Sequence, residues 1–590
     1  MPEGYIVLVL HAHLPYVLSH GKWPYGSDWL CEATCETYIP LLNTLGTLAR
    51  EGKRAGFTIG ITPVLCEMLA SPLFKRELRA YAAEKISAAS LDQRSFRGRA
   101  QKGLALQASQ WKAYYRSRLA DFTDLYGEDL LAAFRRFQEE GQIEIIASAA
   151  THAYLPLLGL DSSVGAQIKQ GIETYRKHFG REPEGMWLPE CAYRPETGPG
   201  PRAPLALPRR GLEAFLAALH LKYFFVDGCH VPEKPEPLSG YVAEAARGLG
   251  LEAPAAAPGV YGERFGGPEK PVPQAGKGPG ETGAEAQTQD VLYAIHRTGG
   301  PGEGACAFFA RDTETSLQVW SARFGYPGDP YYLEFHKKHT PGGLRYWRVT
   351  DHGGDLGTKL PYEPERALER VREHARHFAR LVEGKLRRYY RATGKMGVLT
   401  VPFDAELFGH WWFEGIPWLE SLVSALDENY VTIETASTAL KRAAPLATVC
   451  LPEGSWGEGG RHLVWYNKET VWTWGHIHEA ERSMERLVRE APGNGWGGRI
   501  LRQMARELFL LQSSDWQFLI TTRTAGDYGA SRFLGHYRAF KDLERIFGRL
   551  RKRGTLTEKE RQTLFALEER DALFDNVKLE WFKERIEDGL

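Results

Sequence analysis

Short apolar segments recur along the chain, each bounded by polar or turn-forming residues. They are rich in β-branched and aromatic residues, and stretches with helical spacing separate them. The seven segments are Tyr5–Leu10, Phe57–Thr62, Ile143–Ser148, Met186–Leu188, Tyr223–Val226, Ala305–Phe309 and Val398–Val401. Apolar strands that alternate with helices are typical of buried parallel sheets, so the pattern predicts an α/β fold whose βα units close into a barrel.

Polar residues directly follow most of these predicted strands. They are His11 and His13, His152, Glu190, Asp227, Arg311 with Asp312, and Asp404. Barrel enzymes gather their functional groups at the carboxyl ends of the strands, so these side chains are predicted to share one site.

A helical insertion is predicted between the second and third strands, at 72–140. Its apolar positions recur three and four residues apart, which indicates helices that bury one face rather than a ligand site. They are Ala108, Trp111, Tyr115, Leu119, Phe122, Tyr126, Leu130, Phe134 and Phe137. The insertion is assigned to a barrel domain at 1–435.

Residues 231–290 differ from the rest, since 20 of these 60 residues are Gly or Pro. Such a composition predicts a mobile loop, and a loop of this length serves as a functional lid or is a disordered linker. Tyr261 is the one aromatic side chain that such a lid is expected to present. A smaller Pro-rich insert, Thr197–Pro208, follows Glu190.

The pattern becomes helical in the last part of the chain, which predicts an all-helical C-terminal domain at 436–590. The predicted helices are Ile477–Glu490, Arg499–Thr521, Arg532–Arg551 and Glu558–Glu587. A Trp-rich, hairpin-like stretch with Trp456 and Trp465 precedes them. Its glycines would let the backbone approach a ligand closely.

Charge and composition restrict the partners. Lys plus Arg and Asp plus Glu both number 74, so no net field favours nucleic acid or an anionic membrane. No apolar run approaches the length that a membrane-spanning helix needs. A neutral partner is expected, and 16 Trp residues suit either a large core or a carbohydrate cleft.

The seven cysteines form no CxxC pair and indicate neither a disulfide framework nor a zinc knuckle. The sequence starts with Met1-Pro-Glu-Gly and runs into a strand without a basic region or a small-residue cleavage site. A cytoplasmic location is the simplest expectation.

Two apolar segments end on a carboxylate next to aromatic residues. Glu190 follows Trp187-Leu-Pro189, and Asp404 follows Val401-Pro-Phe403. A carboxylate at such a position is either used or paired, and an ion pair between Glu190 and Arg194 is the alternative for the first. Two such acids are what cleavage of a glycosidic bond requires, one to stabilise or capture the oxocarbenium-like sugar carbon and one to protonate the leaving oxygen.

His11 and His13 alternate after the first strand, which is one geometry that metallohydrolases use. A metal site would need further ligands, and His152, Asp227 and Asp404 could supply them, although their spacing does not require it. Hydrogen bonding to sugar hydroxyls and structural packing are the alternatives.

Five motifs together resemble glycoside hydrolase family 57. They are His11-Ala-His-Leu-Pro15, Gly141–Pro156, Trp187-Leu-Pro-Glu190, Phe403-Asp-Ala-Glu-Leu-Phe-Gly-His410 and Ser513-Ser-Asp-Trp516-Gln-Phe. Their order and spacing match along nearly the whole chain. Within the family, the Trp-rich segment and the helical C-terminal domain most resemble those of the 1,4-α-glucan branching enzymes.

This resemblance implies an incomplete (β/α)7 barrel and retention of anomeric configuration without a metal or other cofactor. It implies Glu190 as nucleophile and Asp404 as general acid and base, with an α-glucan such as amylose or glycogen as substrate. The expected activity is cleavage of α-1,4 bonds with formation of α-1,6 branches, by a monomer or small homo-oligomer.

The resemblance also implies a set of substrate contacts. They are His11, His13, His152 and Asp515, with a glucan cleft lined by Trp23, Trp29, Trp320, Trp456 and Trp465. Arg311 is a further candidate because it lies at a strand end, and Tyr261 because of its place in the predicted lid. The inserts at Thr197–Pro208 and 231–290 depart from the family pattern.

Other activities remain open from the sequence. Within the family they are a 4-α-glucanotransferase and an α-amylase-like hydrolase. A metal-dependent deacetylase or amidohydrolase would use His11 and His13, and a non-catalytic glycan-binding protein would use the tryptophans alone.

Overall fold

A computed structural model describes residues 2–22, 24–196, 209–228, 292–299, 305–321, 325–351, 353–426, 430–490 and 494–583. The predicted lid at 231–290, with Tyr261, lies outside these residues, as do Trp23 and the insert at 197–208.

Seven parallel strands in the described part of the chain form the predicted barrel. They are β1 (Gly4–Ala12), β2 (Phe57–Ile61), β3 (Ile143–Ser148), β4 (Gly185–Trp187), β5 (Tyr223–Asp227), β7 (Cys306–Arg311) and β10 (Gly397–Asp404). The order is β10-β1-β2-β3-β4-β5-β7, and pairing of β7 with β10 closes the ring. The predicted incomplete (β/α)7 barrel is therefore confirmed.

Two short strands that the apolar pattern did not predict extend the barrel sheet. β6 (His296–Thr298) pairs antiparallel with β7, and β11 (Val431–Ile433) pairs with the start of β1. A separate ribbon joins β8 (Lys338–His339) to β9 (Leu344–Arg345). Strands of two or three residues carry too few positions to show an alternation.

Side chains of β1 alternate between the barrel interior and the surrounding helices. Tyr5, Val7 and Val9 belong to the interior cluster, whereas Ile6 and Leu8 pack into the large outer core. This period of two places His11 on the interior side at the carboxyl end of the strand.

Helices surround the barrel and form the predicted insertion. They are α1 (Ser27–Ala33), α2 (Ile39–Arg50), α3 (Pro63–Ala70), α4 (Pro72–Gly98), α5 (Lys102–Ala120), α6 (Leu130–Glu139), α7 (Asp161–Phe179), α8 (Leu212–Ala218), α9 (Thr313–Trp320), α10 (Pro364–Thr393) and α11 (Gly415–Ala425). The α4–α6 region coincides with the insertion, and its apolar stripe is buried except at the half-buried Leu119.

The remaining helices lie in the C-terminal part. They are α12 (Ala436–Arg442), α13 (Val471–Glu490), α14 (Gly495–Leu511), α15 (Asp515–Thr522), α16 (Gly526–Arg553) and α17 (Glu558–Arg570). No helix among the described residues is both long and apolar enough to cross a membrane.

Three sequence predictions for this part are wrong in detail. The helix predicted at Arg499–Thr521 is interrupted between Leu511 and Asp515, and the one predicted at Glu558–Glu587 ends at Arg570. Directly after Arg570, Asp571 accepts a hydrogen bond from His20, which follows β1, and the chain leaves the helical direction to make this contact. The stretch from Trp456 to Trp465 forms short 3₁₀ turns instead of a hairpin.

Candidate active site

Glu190 lies just after β4, in a single 3₁₀ turn at Pro189–Cys191. Its φ of 63° and that of Cys191, 48°, place two non-glycine residues in the left-handed region. Such conformations cost free energy and persist where the surroundings hold them, which is common at active sites. The backbone N–H of Trp456 donates to the Glu190 carbonyl at 3.1 Å and so contributes to holding this turn.

The Glu190 carboxylate accepts one hydrogen bond on each oxygen. The Trp456 indole donates to Oε2 at 2.8 Å, and the Ser514 hydroxyl donates to Oε1 at 3.1 Å. His152 Nδ1 lies 3.6 Å from Oε1. The predicted alternative, a pair between Glu190 and Arg194, does not occur, because Arg194 donates to the carbonyls of Pro156 and Arg210 instead.

Burial raises the pKa of Glu190 to about 8, and the nearby charges of Asp404 and Asp515 add to the rise. The hydrogen bonds from Trp456 and Ser514 oppose it because they stabilise the charged form. A poorly solvated carboxylate with two fixed donors is suited to attack an electrophilic carbon.

His11, His13 and His152 stack at the barrel mouth. The ring centroids of His13 and His152 are 4.0 Å apart, and the His11 ring lies 4.7 Å from that of Trp187. Burial lowers the pKa of both His11 and His152, with the neighbouring histidines adding to the effect. Both rings are therefore neutral near pH 7.

A chain of hydrogen bonds leads from His11 to Glu190. His11 Nε2 lies 3.0 Å from His152 Nε2, and His152 Nδ1 lies 2.9 Å from Ser514 Oγ. Because Ser514 donates to Glu190, its oxygen is free to accept from His152 Nδ1–H, and His152 Nε2 then accepts from His11 Nε2–H. This direction leaves His11 Nδ1 as a buried acceptor without a partner among the described residues.

His13 is held by three groups. Its ring contacts Thr62 Oγ1 at 3.1 Å and both carboxylate oxygens of Asp515 at 3.0 Å, and its backbone N–H donates to Glu406 at 3.1 Å. Its ring nitrogens and both ring nitrogens of His152 are thus occupied by protein partners. The histidines do not present the converging lone pairs that a metal-dependent deacetylase requires.

Asp404 ends β10 and is the register partner of His11 across the β1–β10 pair. Its charge contributes to the raised pKa of both Glu190 and Glu406, so it lies within electrostatic reach of both carboxyl groups. Burial is the main cause of the rise for Glu406, whose pKa is about 8. Glu406 accepts a 2.5 Å hydrogen bond from the Tyr38 hydroxyl.

The candidate tryptophans occupy different environments. Trp456 is half-buried against Glu190, and Trp29 is half-buried beside Tyr25. Trp320 is 8 % exposed, with its ring 6.3 Å from that of Phe403. Trp465 is 2 % exposed and stacks on Tyr154, so its ring offers no open face to a sugar.

Arg311 pairs with Asp227 across adjacent strands, and its guanidinium lies 5.7 Å from the Trp456 ring centroid. Arg311 therefore contacts and helps to hold the Trp456 ring.

Ser514 and Glu406 are site residues that the sequence analysis did not single out. Both lie inside motifs that were quoted, one residue before Asp515 and two after Asp404. The break in the predicted helix at 499–521 was the available signal for Ser514, since a polar Ser513-Ser514 pair favours a helix start.

Two protein-family models match this chain. Residues 7–452 match the model of glycosyl hydrolase family 57, and residues 476–582 match that of the C-terminal region of 1,4-alpha-glucan branching enzymes. The chain therefore belongs to glycosyl hydrolase family 57.

Among its relatives is the 1,4-alpha-glucan branching enzyme of Thermococcus kodakarensis, 40% identical over 98% of this chain and 78% of that protein. A probable 1,4-alpha-glucan branching enzyme of Mycobacterium tuberculosis is 29% identical over 92% of this chain and 91% of that one.

Solved structures of three proteins resemble the whole chain. The branching enzyme of Thermococcus kodakaraensis superposes with a TM-score of 0.84 at 39% identity, covering 99% of this chain and 97% of that one. The GH57-type branching enzyme of Pyrococcus horikoshii gives 0.83 at 38% identity with the same coverage. The alpha-amylase AmyC of Thermotoga maritima gives 0.77 at 29% identity and covers 99% of both chains.

Activity is expected to rise with pH through an ascending limb centred near pH 8. The pKa of Glu190 is raised to about 8, so its carboxylate, which is the form able to attack, is the minor form below that pH and becomes the major form above it. Measuring kcat/KM against pH on a soluble maltooligosaccharide tests this. A flat profile between pH 6 and 9 would contradict it.

Ser514→Ala is expected to lower kcat about tenfold with little change in KM, because a hydrogen bond to a charged group is lost. The ascending limb should also move to higher pH, since Ser514 holds the pKa of Glu190 down. Ser90→Ala, which removes a hydroxyl that bonds to the Ile86 carbonyl on α4, is the matched control. An ascending limb at the same pH in Ser514→Ala would mean that Ser514 does not act on the Glu190 carboxyl.

Proposed function

We propose that this protein is a 1,4-alpha-glucan branching enzyme that works by a retaining, two-step mechanism. The observation that carries the proposal is the environment of Glu190. A buried carboxylate at the end of a barrel strand is held by Trp456 and Ser514 and lies within the electrostatic reach of Asp404.

In the first step, Glu190 attacks the anomeric carbon of an α-1,4-linked glucose while protonated Asp404 gives its proton to the departing 4-oxygen. The C1–O4 bond breaks, a glycosyl ester forms on Glu190, and the fragment with the new non-reducing end departs. In the second step, the Asp404 carboxylate takes the proton from a 6-hydroxyl, which attacks C1 and releases Glu190. Two inversions give net retention, and one α-1,4 bond becomes one α-1,6 bond.

The polar groups around the nucleophile suit this substrate. His13 and Asp515 are hydrogen-bonded to each other and can exchange that contact for sugar hydroxyls, and His11 Nδ1 offers an unused acceptor. Trp456 supports the nucleophile through its N–H, and its ring is a candidate for contact with the sugar. Trp29 and Trp320 are proposed as further parts of the cleft.

An α-amylase-like hydrolase is the second candidate, favoured by the likeness to the alpha-amylase of Thermotoga maritima. The match of residues 476–582 to the branching-enzyme C-terminal model favours branching. Branching and hydrolysis differ in which group attacks the glycosyl ester on Glu190, because a sugar hydroxyl attacks in branching and water attacks in hydrolysis.

Incubation with amylose separates the two activities. Branching adds α-1,6 linkages, which isoamylase digestion or proton NMR counts, without net formation of reducing ends. Hydrolysis adds one reducing end for each bond cleaved. Reducing ends that increase without α-1,6 linkages would reject branching.

The domain division, location and oligomeric state belong to the same proposal. A barrel domain at 1–435 and a helical C-terminal domain at 436–590 are supported by the helices that follow α12. The cysteines of the described residues are free thiols, which supports a cytoplasmic location. We propose a monomer or small homo-oligomer.

A further inference from the structure

An aromatic cavity of about 340 Å³ lies between α5, the start of α10 and the start of α11. Its walls include Trp111, Tyr114, Phe413 and Leu368, and none of the groups that contact Glu190 lines it. We call this cavity the α5–α11 pocket. Its volume is at the lower end of the range of about 300–1,000 Å³ for ligand pockets.

Three of its aromatic rings form one cluster. The Phe413 ring centroid lies 5.2 Å from that of Trp111 and 5.7 Å from that of Tyr114. The polar atoms of Trp111 and Tyr114 already have partners outside the pocket. Trp111 Nε1 donates to the Arg345 carbonyl, and the Tyr114 hydroxyl donates to the Cys35 carbonyl. These side chains therefore offer the pocket ring surface only.

One buried acceptor in the pocket lacks a hydrogen bond to the described residues, and a buried carboxyl beside it retains spare capacity to accept. Gln107 gives its amide N–H to the Tyr362 carbonyl and leaves Oε1 unpartnered, and it is 8 % exposed. Glu414, at 2 % exposure, accepts the Leu333 N–H on Oε1 at 3.0 Å and a further hydrogen bond from the Tyr362 hydroxyl, and the two oxygens of its carboxylate can accept additional donors. Unpartnered buried acceptors are costly, so the site is built for a molecule that supplies donors.

The charge around the pocket excludes a cationic ligand. The Arg345 guanidinium already lies 5.9 Å from the Trp111 ring centroid and 5.7 Å from that of Phe413, and it pairs with Glu36 on its other side. A second cation on these rings would meet that fixed positive charge. Burial also raises the pKa of Glu414 to about 7, against hydrogen bonding from Tyr362 and Leu333, so the carboxyl is partly neutral.

We propose that the α5–α11 pocket is a second α-glucan site. A pyranose ring would stack on Phe413 and Tyr114, and its hydroxyl groups would donate hydrogen bonds to Gln107 and Glu414. A pyranose has an apolar face that can stack on the aromatic rings and hydroxyl groups at its edge that can donate to the acceptors of the pocket. The identity of the sugar rests on the proposed function. Its role is to retain a long glucan near the barrel, because a chain held at two points rebinds the catalytic cleft at a higher effective concentration.

Leu368→Arg tests the pocket without touching the reaction centre. Leu368 is 40% exposed at the pocket wall, so an arginine there keeps the fold and can place its guanidinium near Gln107 Oε1 and the Glu414 carboxyl. Leu91→Arg, on an exposed leucine of α4 at 53%, is the matched control. Phe413→Leu, which removes a ring and keeps an apolar side chain, is the second variant.

The measurement is retardation of the full chain in native gels that contain amylopectin, relative to gels without it. We expect Leu368→Arg and Phe413→Leu to weaken the apparent affinity at least about threefold. Their kcat/KM on maltoheptaose, which is too short to bridge two sites, should equal that of Leu91→Arg.

Equal retardation of wild type, Leu368→Arg and Leu91→Arg would overturn the second site. So would an equal loss of retardation in Leu91→Arg, since added charge would then explain it. Failure of the proposed function looks different: the wild-type protein would form no α-1,6 linkages on amylose, whatever its retardation.

Discussion

Glu190→Ala is expected to reduce turnover of amylose by about 10⁴-fold or more, because no covalent intermediate can form without the carboxylate. Sodium azide should restore part of the activity on an aryl maltooligoside with a good leaving group. The small anion fits the space of the lost side chain and attacks the anomeric carbon once, so the product should be a glycosyl azide of β configuration. Proton NMR of the product assigns that configuration.

Glu190→Gln provides the control for folding. It keeps the shape of the side chain, and its carbonyl oxygen can still accept from Trp456 while its NH2 group can donate to the Ser514 oxygen. Glucan binding by this variant should match the wild-type protein while turnover is lost. Substantial turnover in Glu190→Gln, or an azide product of α configuration from Glu190→Ala, would show that another residue is the nucleophile.

Asp404→Asn is expected to lower kcat/KM on amylose by about 10²–10⁴-fold, since the leaving oxygen then receives no proton. An aryl maltooligoside with a good leaving group needs no such proton. It should therefore still form the ester on Glu190 and release a burst of phenol, followed by slow turnover. The burst is measured by stopped-flow absorbance.

Azide gives the matched contrast between the two carboxylates. In Asp404→Asn it attacks an ester that has already been inverted once, so its product should have the α configuration. Opposite configurations from Glu190→Ala and Asp404→Asn would assign both roles. Rescue of Asp404→Asn with β configuration would contradict a retaining mechanism.

The barrel was predictable because each strand is a local pattern. β1, β3 and β10 are continuous apolar runs between turn residues, and such runs identify buried parallel strands wherever they lie in the chain. The positions of Glu190 and Asp404 followed, since a polar residue after a barrel strand lies at the shared mouth. β6 and β11 were missed because their three residues acquire strand geometry only from their neighbours.

Contacts across the chain could not be predicted in the same way. Ser514 is 324 positions from Glu190, and nothing local to either residue shows that they meet. Trp465 and Trp456 are equivalent by sequence, yet the first packs on Tyr154 in the core and the second donates to Glu190. Tertiary packing decides which aromatic ring faces a cleft.

Glu190 and the groups that hold its carboxylate are synthesised at very different times. Glu190 and Asp404 belong to the barrel, whereas Trp456 and Ser514, which hold the Glu190 carboxylate, follow both of them in the chain. A nascent chain that has completed the barrel therefore carries both acids in an unassembled centre. We therefore expect full activity only after the segment with Trp456 and Ser514 has packed against the barrel, and two fragments divided before Trp456 should regain full activity only on association.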